Sequence, residues 1–197
     1  MINKNTWYWR LWQLALHGNI VDPSAWIGYH VTIGRNNYIG PGCIIGANAE
    51  HRGRWGENKG AIICNNCVIT GNVTIDGGLD EETIIFSNAF IMKGVHIGHD
   101  SIVWDNSTIS PHVILGGHAE VGRDCNLGMG AIVHQQCKIG HGAMIGMNTT
   151  VTKKSVIVPY GKFIGSPAKN IGINWHKAEG LTNDEIVEIQ DRWIIKS

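Results

Sequence analysis

Residues 94–101 read GVHIGHDS and place His96 and His99 three positions apart, with Asp100 directly after the second. Imidazole is the side chain that titrates near neutral pH, and an adjacent carboxylate fixes its tautomer and orientation. A His-Asp pair of this kind takes a proton from a hydroxyl or an amine while that group attacks an acyl carbon. The chain holds 10 histidines, and two more stand downstream in GGHAEVG and MGAIVHQQCKIG, at His118 and His134. Whether these segments meet depends on the elements that carry them.

The carrier is a repeat of six. Aliphatic residues recur at Ile85, Ile91, Ile97, Val103, Ile109, Leu115, Val121, Leu127, Val133, Ile139, Ile145, Val151 and Ile157, every sixth position without a miss. An earlier run holds Val21, Ile27, Ile33, Ile39 and Ile45, then Ile63, Ile69 and Ile75, with breaks at 51–60 and 76–83 that read as loops thrown out from a regular body. Four residues after each aliphatic comes a small one, as at Ser101, Ala119, Cys125 and Ala131, which predicts a second inward slot. A period of six fits neither the 3.6 of a helix nor the 2.0 of a continuous strand, but it fits short strands joined by tight turns. Glycines directly after many of the aliphatics, Gly98, Gly116 and Gly128 among them, are expected at corners that need unusual dihedrals.

Over about residues 20–160 this pattern resembles the hexapeptide-repeat transferases. The resemblance implies an all-β solenoid, a left-handed parallel β-helix with three hexads in each coil. Residues eighteen apart then lie above one another, separated by about the 4.8 Å of neighbouring strands. His99, Gly117 and Gln135 form one column, Asp100, His118 and Gln136 the next, and Gly98, Gly116 and His134 a third. Three histidines, an aspartate and a glutamine thus converge at one corner.

At these residues the sequence is similar to a narrower family, the UDP-N-acetylglucosamine acyltransferases that begin lipid A and lipopolysaccharide biosynthesis. VHIGHDS, GGHAEVG and MGAIVHQQCKIG match that family's three histidine segments with the spacing between them kept, and VIVPYGKFIGSPAKNIGIN matches its exit from the β-helix. The resemblance implies His99 as general base, Asp100 as its acidic partner and the Gly117 N–H as donor to the thioester oxyanion. It implies His96 and Gln135 as contacts to the acceptor sugar, and His118 and His134 as further histidines lining the cleft. Glu50 and His51 stand about where the family carries a Gln-Asp pair beside the sugar, and Asn174 at its substrate-binding exit segment. An acyl thioester, on acyl carrier protein or coenzyme A, is the implied co-substrate, with no tightly bound cofactor, no metal and a homotrimeric assembly.

The chain departs from the family after Asn174. It runs WHKAEGLTNDE without the paired arginines placed there near the phosphates, and its C-terminus is shortened. Loss of basic residues weakens the case for an acidic carrier protein as donor. A coenzyme A-dependent N-acyltransferase acting on a nucleotide-linked amino sugar is therefore the alternative. A zinc protein like the γ-class carbonic anhydrases is the lesser rival, because Trp104 stands where its second ligand histidine belongs.

The expected organisation is a capping helix in 1–19 with Trp7, Leu11, Leu14 and Ala15 on one face, the β-helix acyltransferase domain in 20–165, and a C-terminal extension in 166–197. In that extension Thr182 and Glu185 read as a capping box opening a helix with Ile186, Ile189 and Trp193 along one side. Lys plus Arg and Asp plus Glu number 16 each, so no bulk charge draws the protein to nucleic acid. No apolar run approaches the roughly 20 residues of a membrane span, and the N-terminus lacks a cleavage-site pattern, which points to a cytoplasmic protein. Cys43, Cys67, Cys125 and Cys137 fall in the small inward slot and read as packing, and the lone CxxC of Cys64 and Cys67 has no second pair to complete a metal site.

Overall fold

The computed structural model describes residue 15 and residues 17–196. The aliphatics that recur every sixth position from Ile85 to Ile157 are each no more than 1% exposed. Burying one such side chain stabilises the fold by about 1.5–3 kcal/mol, so the core is a thin column built from many equal contributions. The strands that carry them are mostly two residues long. Each pairs in parallel with the strand one coil on, as in Ile97 with Leu115, Val103 with Val121 and Ile109 with Leu127. Among the described residues, three sheets of nine, seven and six strands form the faces of the β-helix.

The two breaks in the repeat are insertions at the coil surface that leave the stacking intact. Ile33 pairs with Ile63 and Ile63 with Ile85, so the register is recovered after an insert of twelve residues and again after one of four. The longer insert rises around residues 48–59 and the shorter around 77–82. Both leave the helix at the end of the face that carries His96, two coils and one coil before it respectively.

Apart from Gly46, at φ 77°, the glycines that follow the inward aliphatics do not supply the unusual dihedrals expected of them. Left-handed backbone falls two residues later, at Asn88, Asp100, Asn106, His118, Asp124, Gln136 and Asn148, with φ between 53° and 64°. Asn and Asp tolerate that region because their short polar side chains bond locally. The glycines answer a different constraint, the approach of the next coil. A Cβ on Gly98, Gly116 or Gly128 would lie 2.7–2.8 Å from the backbone nitrogen of Gly117, Gln135 or Met147.

At the C-terminal end Gly161–Ile164 turns back through Lys169–Ile173, an antiparallel pair on an otherwise parallel sheet. The helix α1, Asn183–Lys196, opens on the expected capping box: the Thr182 N–H donates to Glu185 Oε2 at 2.7 Å and the Glu185 N–H to Thr182 Oγ1 at 3.3 Å. Ile186 is fully buried, Trp193 packs against the core, and Gln190 Nε2 donates to the Pro159 carbonyl at 2.8 Å. The stretch expected as a capping helix in 1–19 lies for the most part outside the described residues. Among the described residues no helix is long and apolar enough to cross a membrane. All five cysteines are free, and four of them are buried.

Gly128→Ala forces a methyl against the Met147 nitrogen, which rigid neighbouring backbone cannot vacate. Its unfolding free energy, read from urea titration, is expected to fall by about 1–3 kcal/mol, the usual cost of overpacking.

Candidate active site

His99, Asp100, Gly117, His118, Gln135 and Gln136 occupy the same corner of three successive coils, as the columns require. The stacking is fixed by backbone hydrogen bonds: the His118 N–H donates to the His99 carbonyl at 2.8 Å and the Gln136 N–H to the Gly117 carbonyl at 2.9 Å. A cavity of about 160 Å³ opens there, lined by His51, Arg54, Leu79, Asp80, His99, His118, Gln135 and Gln136. His99 sits between two other imidazoles, edge-on to His118 at 5.1 Å and to His51 at 6.1 Å between ring centroids.

Asp100 is the hub of this corner. Its Oδ1 accepts the N–H groups of Leu79, Asp80 and Glu81 at 3.1, 2.8 and 2.7 Å, and its Oδ2 meets His99 Nδ1 at 2.6 Å. The side chain is only 3% exposed. Burial alone would push the carboxyl up, but the donors from Glu81, Leu79, His99 and Asp80 outweigh it and hold the group down to about 2. Asp100 is therefore an ionised acceptor near neutral pH, which requires Nδ1 of His99 to carry the proton in that bond. Nε2 is left with its lone pair. It makes no hydrogen bond among the described residues, and a Cβ placed on Gly117 would come within 2.6 Å of it. Glycine at 117 keeps the space before this nitrogen clear. The Gly117 N–H itself donates to no acceptor among the described residues.

The two inserts close over this corner. Asp100 holds the 77–82 insert from below, while Arg54 of the longer insert holds it from above through Asp80 Oδ1 at 2.7 Å and the Leu79 carbonyl at 3.0 Å. Glu57 fixes the guanidinium from its other side at 2.7 Å. Asp80 Oδ2 and Asp100 Oδ2 each stand 3.8 Å from His118 Nε2. Sequence reasoning misses Arg54 and Asp80, since both lie in the breaks where the six-residue register says nothing.

His96 faces a second and larger cavity of about 850 Å³, in which Glu50 also stands. His96 Nδ1 is 2.8 Å from Thr74 Oγ1, and its Nε2 is 3.9 Å from Asp76 Oδ2. Two of the expected binding residues are placed elsewhere. His134 is exposed, with Nδ1 against the Gln135 carbonyl at 2.9 Å, and it lines neither cavity. Asn174 is buried and donates its amide to the Gly142 carbonyl at 2.8 Å, supporting the C-terminal coil.

His99, Asp100 and His118 also have ligand atoms within 4.8 Å of one another, the geometry of an incipient cation site. The donor chemistry fits a proton better than a metal: Asp100 already accepts three backbone N–H groups and an imidazole, which leaves its carboxylate little capacity for a cation.

Residues 118–153 match the model described as bacterial transferase hexapeptide (six repeats), and residues 30–76 that of the hexapeptide repeat of succinyl-transferase. The chain is a hexapeptide-repeat protein of the bacterial transferase type. It is 32% identical over 146 residues to the acyl-[acyl-carrier-protein]–UDP-N-acetylglucosamine O-acyltransferase of Sinorhizobium fredii, a match covering 73% of this chain and 53% of that protein. A second such relative, from Sinorhizobium medicae, is 33% identical over 145 residues, covering 72% of this chain and 53% of the relative. This hexapeptide-repeat chain thus spans about half the length of the curated relatives it matches. Among solved structures, the UDP-N-acetylglucosamine acyltransferase of Bacteroides fragilis superposes with a TM-score of 0.80 at 29% identity, covering 90% of this chain and 70% of that one. The winding is the left-handed one of those structures. The perosamine N-acetyltransferase of Caulobacter crescentus, at 21% identity and a TM-score of 0.54 over 78% of this chain and 56% of that one, shares the fold.

The low folded value of Asp100 sets an acid dependence. A carboxyl whose folded value is depressed contributes stability that is present above about 4 and lost as pH falls toward about 2. Asp100→Asn is expected to be less stable than the parent at neutral pH and to lose less stability over that acid range. Thermal unfolding at a series of pH values reads both effects.

Proposed function

We propose that the chain is an acyltransferase that moves an acyl group from a thioester donor to a hydroxyl of a nucleotide-linked sugar such as UDP-N-acetylglucosamine. The observation that carries this reading is Nε2 of His99, without a hydrogen-bond partner among the described residues, on a ring oriented by the buried Asp100 carboxylate and facing the open space over Gly117. The names of the relatives in Sinorhizobium and of the Bacteroides structure support the choice of sugar and of acyl carrier protein as donor.

The chemistry follows from these positions. His99 Nε2 takes the proton of the acceptor hydroxyl as its oxygen attacks the thioester carbonyl carbon. Asp100 stabilises the imidazolium that forms, without itself gaining a proton. Negative charge developing on the carbonyl oxygen is met by the unengaged Gly117 N–H. Collapse of the tetrahedral intermediate expels the thiolate, which recovers the proton from His99, and the base returns to its starting state. His51, His118 and Gln135 line the cavity in which this takes place and are assigned to substrate contact.

The same reading includes a homotrimer acting in the cytoplasm, where thioester donors are made. Exposed aliphatics along single faces of the β-helix, Ile44, Ile114 and Ile132 on one and Ile20, Val68 and Met144 on another, support an assembly in which these faces are covered. Light scattering is expected to return three times the chain mass of 21.6 kDa. A stable monomer at micromolar concentration would overturn the trimer.

His99→Ala is expected to lower turnover about 10²- to 10⁴-fold, the span of a positioned base, while assembly and melting temperature change little. The assay supplies UDP-N-acetylglucosamine with acyl carrier protein and coenzyme A thioesters of several chain lengths. Transfer confined to an amine acceptor, or near parental turnover in His99→Ala, would sink the assignment.

A further inference from the structure

The inward slot two residues before each aliphatic holds Thr83, Ser101 and Ala119 in three successive coils, and all three are buried. A methyl is enough to fill the slot at Ala119, so packing alone does not call for a hydroxyl at 83. The hydroxyl answers a gap in the backbone ladder. At this corner the left-handed residue of a coil donates its N–H to a carbonyl of the coil before, His118 to His99 and Gln136 to Gly117. The same rule would give Asp100 the carbonyl of Gly77, since Ile97 pairs with Ile75, but there the chain departs for the 77–82 insert. The Asp100 N–H donates to Thr83 Oγ1 instead, at 2.9 Å.

Asp100 is thereby held twice by one stretch of chain. Leu79, Asp80 and Glu81 engage its carboxylate and Thr83 its amide, so side chain and backbone are both tied to residues 79–83. Its φ of 57° lies in a region that a residue other than glycine keeps only where its surroundings impose it. A buried N–H deprived of its acceptor favours leaving that conformation, because the native position then holds it without a partner. Relaxation of the backbone there swings the carboxylate away from His99 Nδ1, which Oδ2 meets at 2.6 Å.

We infer that Thr83 is a positioning residue for the base: its hydroxyl fixes the Asp100 backbone, Asp100 fixes the Nδ1–H form of His99, and Nε2 is kept as the acceptor. The inference rests on the acyl-transfer reading only for the use to which that nitrogen is put.

Thr83→Val exchanges the hydroxyl for a methyl group of similar shape. Long-range nitrogen–proton NMR of protein labelled in its histidines reads the ring form directly, with His99 assigned by the signal lost in His99→Gln. The parent is expected to hold the neutral ring of His99 as the Nδ1–H form alone, and Thr83→Val to show the Nε2–H form beside it. Thr83→Ser, which keeps the hydroxyl, should return the single form, and Thr83→Ala reads the same loss where valine is not accommodated. Ser107→Ala is the comparison for a merely structural loss. Ser107 is as deeply buried, accepts the Cys125 N–H at 3.2 Å and donates to the Gly122 carbonyl at 2.7 Å, away from the site. Its variant should melt at a lower temperature and leave His99 as in the parent. Where thioester and acceptor turn over, Thr83→Val should cut kcat about 10- to 100-fold with KM little changed. His99 wholly in the Nδ1–H form in the valine or alanine variant overturns the inference, as do mixed ring forms in Thr83→Ser or Ser107→Ala, or an unchanged kcat in an active enzyme. Absence of any turnover retires the acyl-transfer reading alone, and the ring forms still decide the role of Thr83.

Discussion

Apart from those of the end coils, each inward aliphatic of this protein stacks between the aliphatic one coil before it and the one coil after it, within a single continuous cluster. That constraint forces every coil to keep the same length along the core, because a shift of one residue would turn a buried face outward. Additional residues have to leave at the surface, and both inserts do so, returning the chain to register at Ile63 and again at Ile85. Strict stacking is also what lets two-residue strands build a site. His99, Gly117 and Gln135 come from segments with no contact in sequence, yet they sit one strand spacing apart because their coils have no freedom to slide.

The Asp100 carboxylate joins the scaffold to the chemistry. Its backbone is in the left-handed region, at φ 57°, where an aspartate is tolerated and most side chains are not. From that position it reaches three N–H groups of the short insert and the imidazole beside it. The donors that order the loop are the same ones that keep the carboxylate ionised despite burial. Orientation of His99 and closure of the insert over the cavity are in this sense one interaction, with Arg54 fastening it from the outside.

Much of this is legible in the residues. The columns of histidine, aspartate and glutamine follow from the six-residue register, and the capping box of the C-terminal helix follows from Thr182 and Glu185. The reason for the glycines does not, since sequence shows that a side chain is absent but not whether a dihedral or a neighbouring backbone excludes it. Arg54, Asp80 and Asp76 are invisible for another reason. They lie in or beside the inserts, where periodicity stops, and their partners are decided by how a loop folds back on the coil. His134 shows the converse limit: adjacency of columns places it at the right corner, but the direction of its side chain, toward the Gln135 carbonyl, is a matter of local rotamer.

A stack of parallel coils presents the same open strand edge at each end, and two such ends are complementary by construction, so one molecule offers a template on which the next could continue growing into a fibre. The hairpin at the C-terminal end interrupts that continuation. Lys169–Ile173 runs against the direction of every other strand in its sheet, so the edge it presents has reversed polarity and no longer matches the start of a parallel coil. It is also mostly exposed, bears a lysine and an asparagine, and contains Gly172 at φ 138°, a conformation that breaks the regular ladder. The reversal of five residues thus gives a potentially endless helical polymer a defined length.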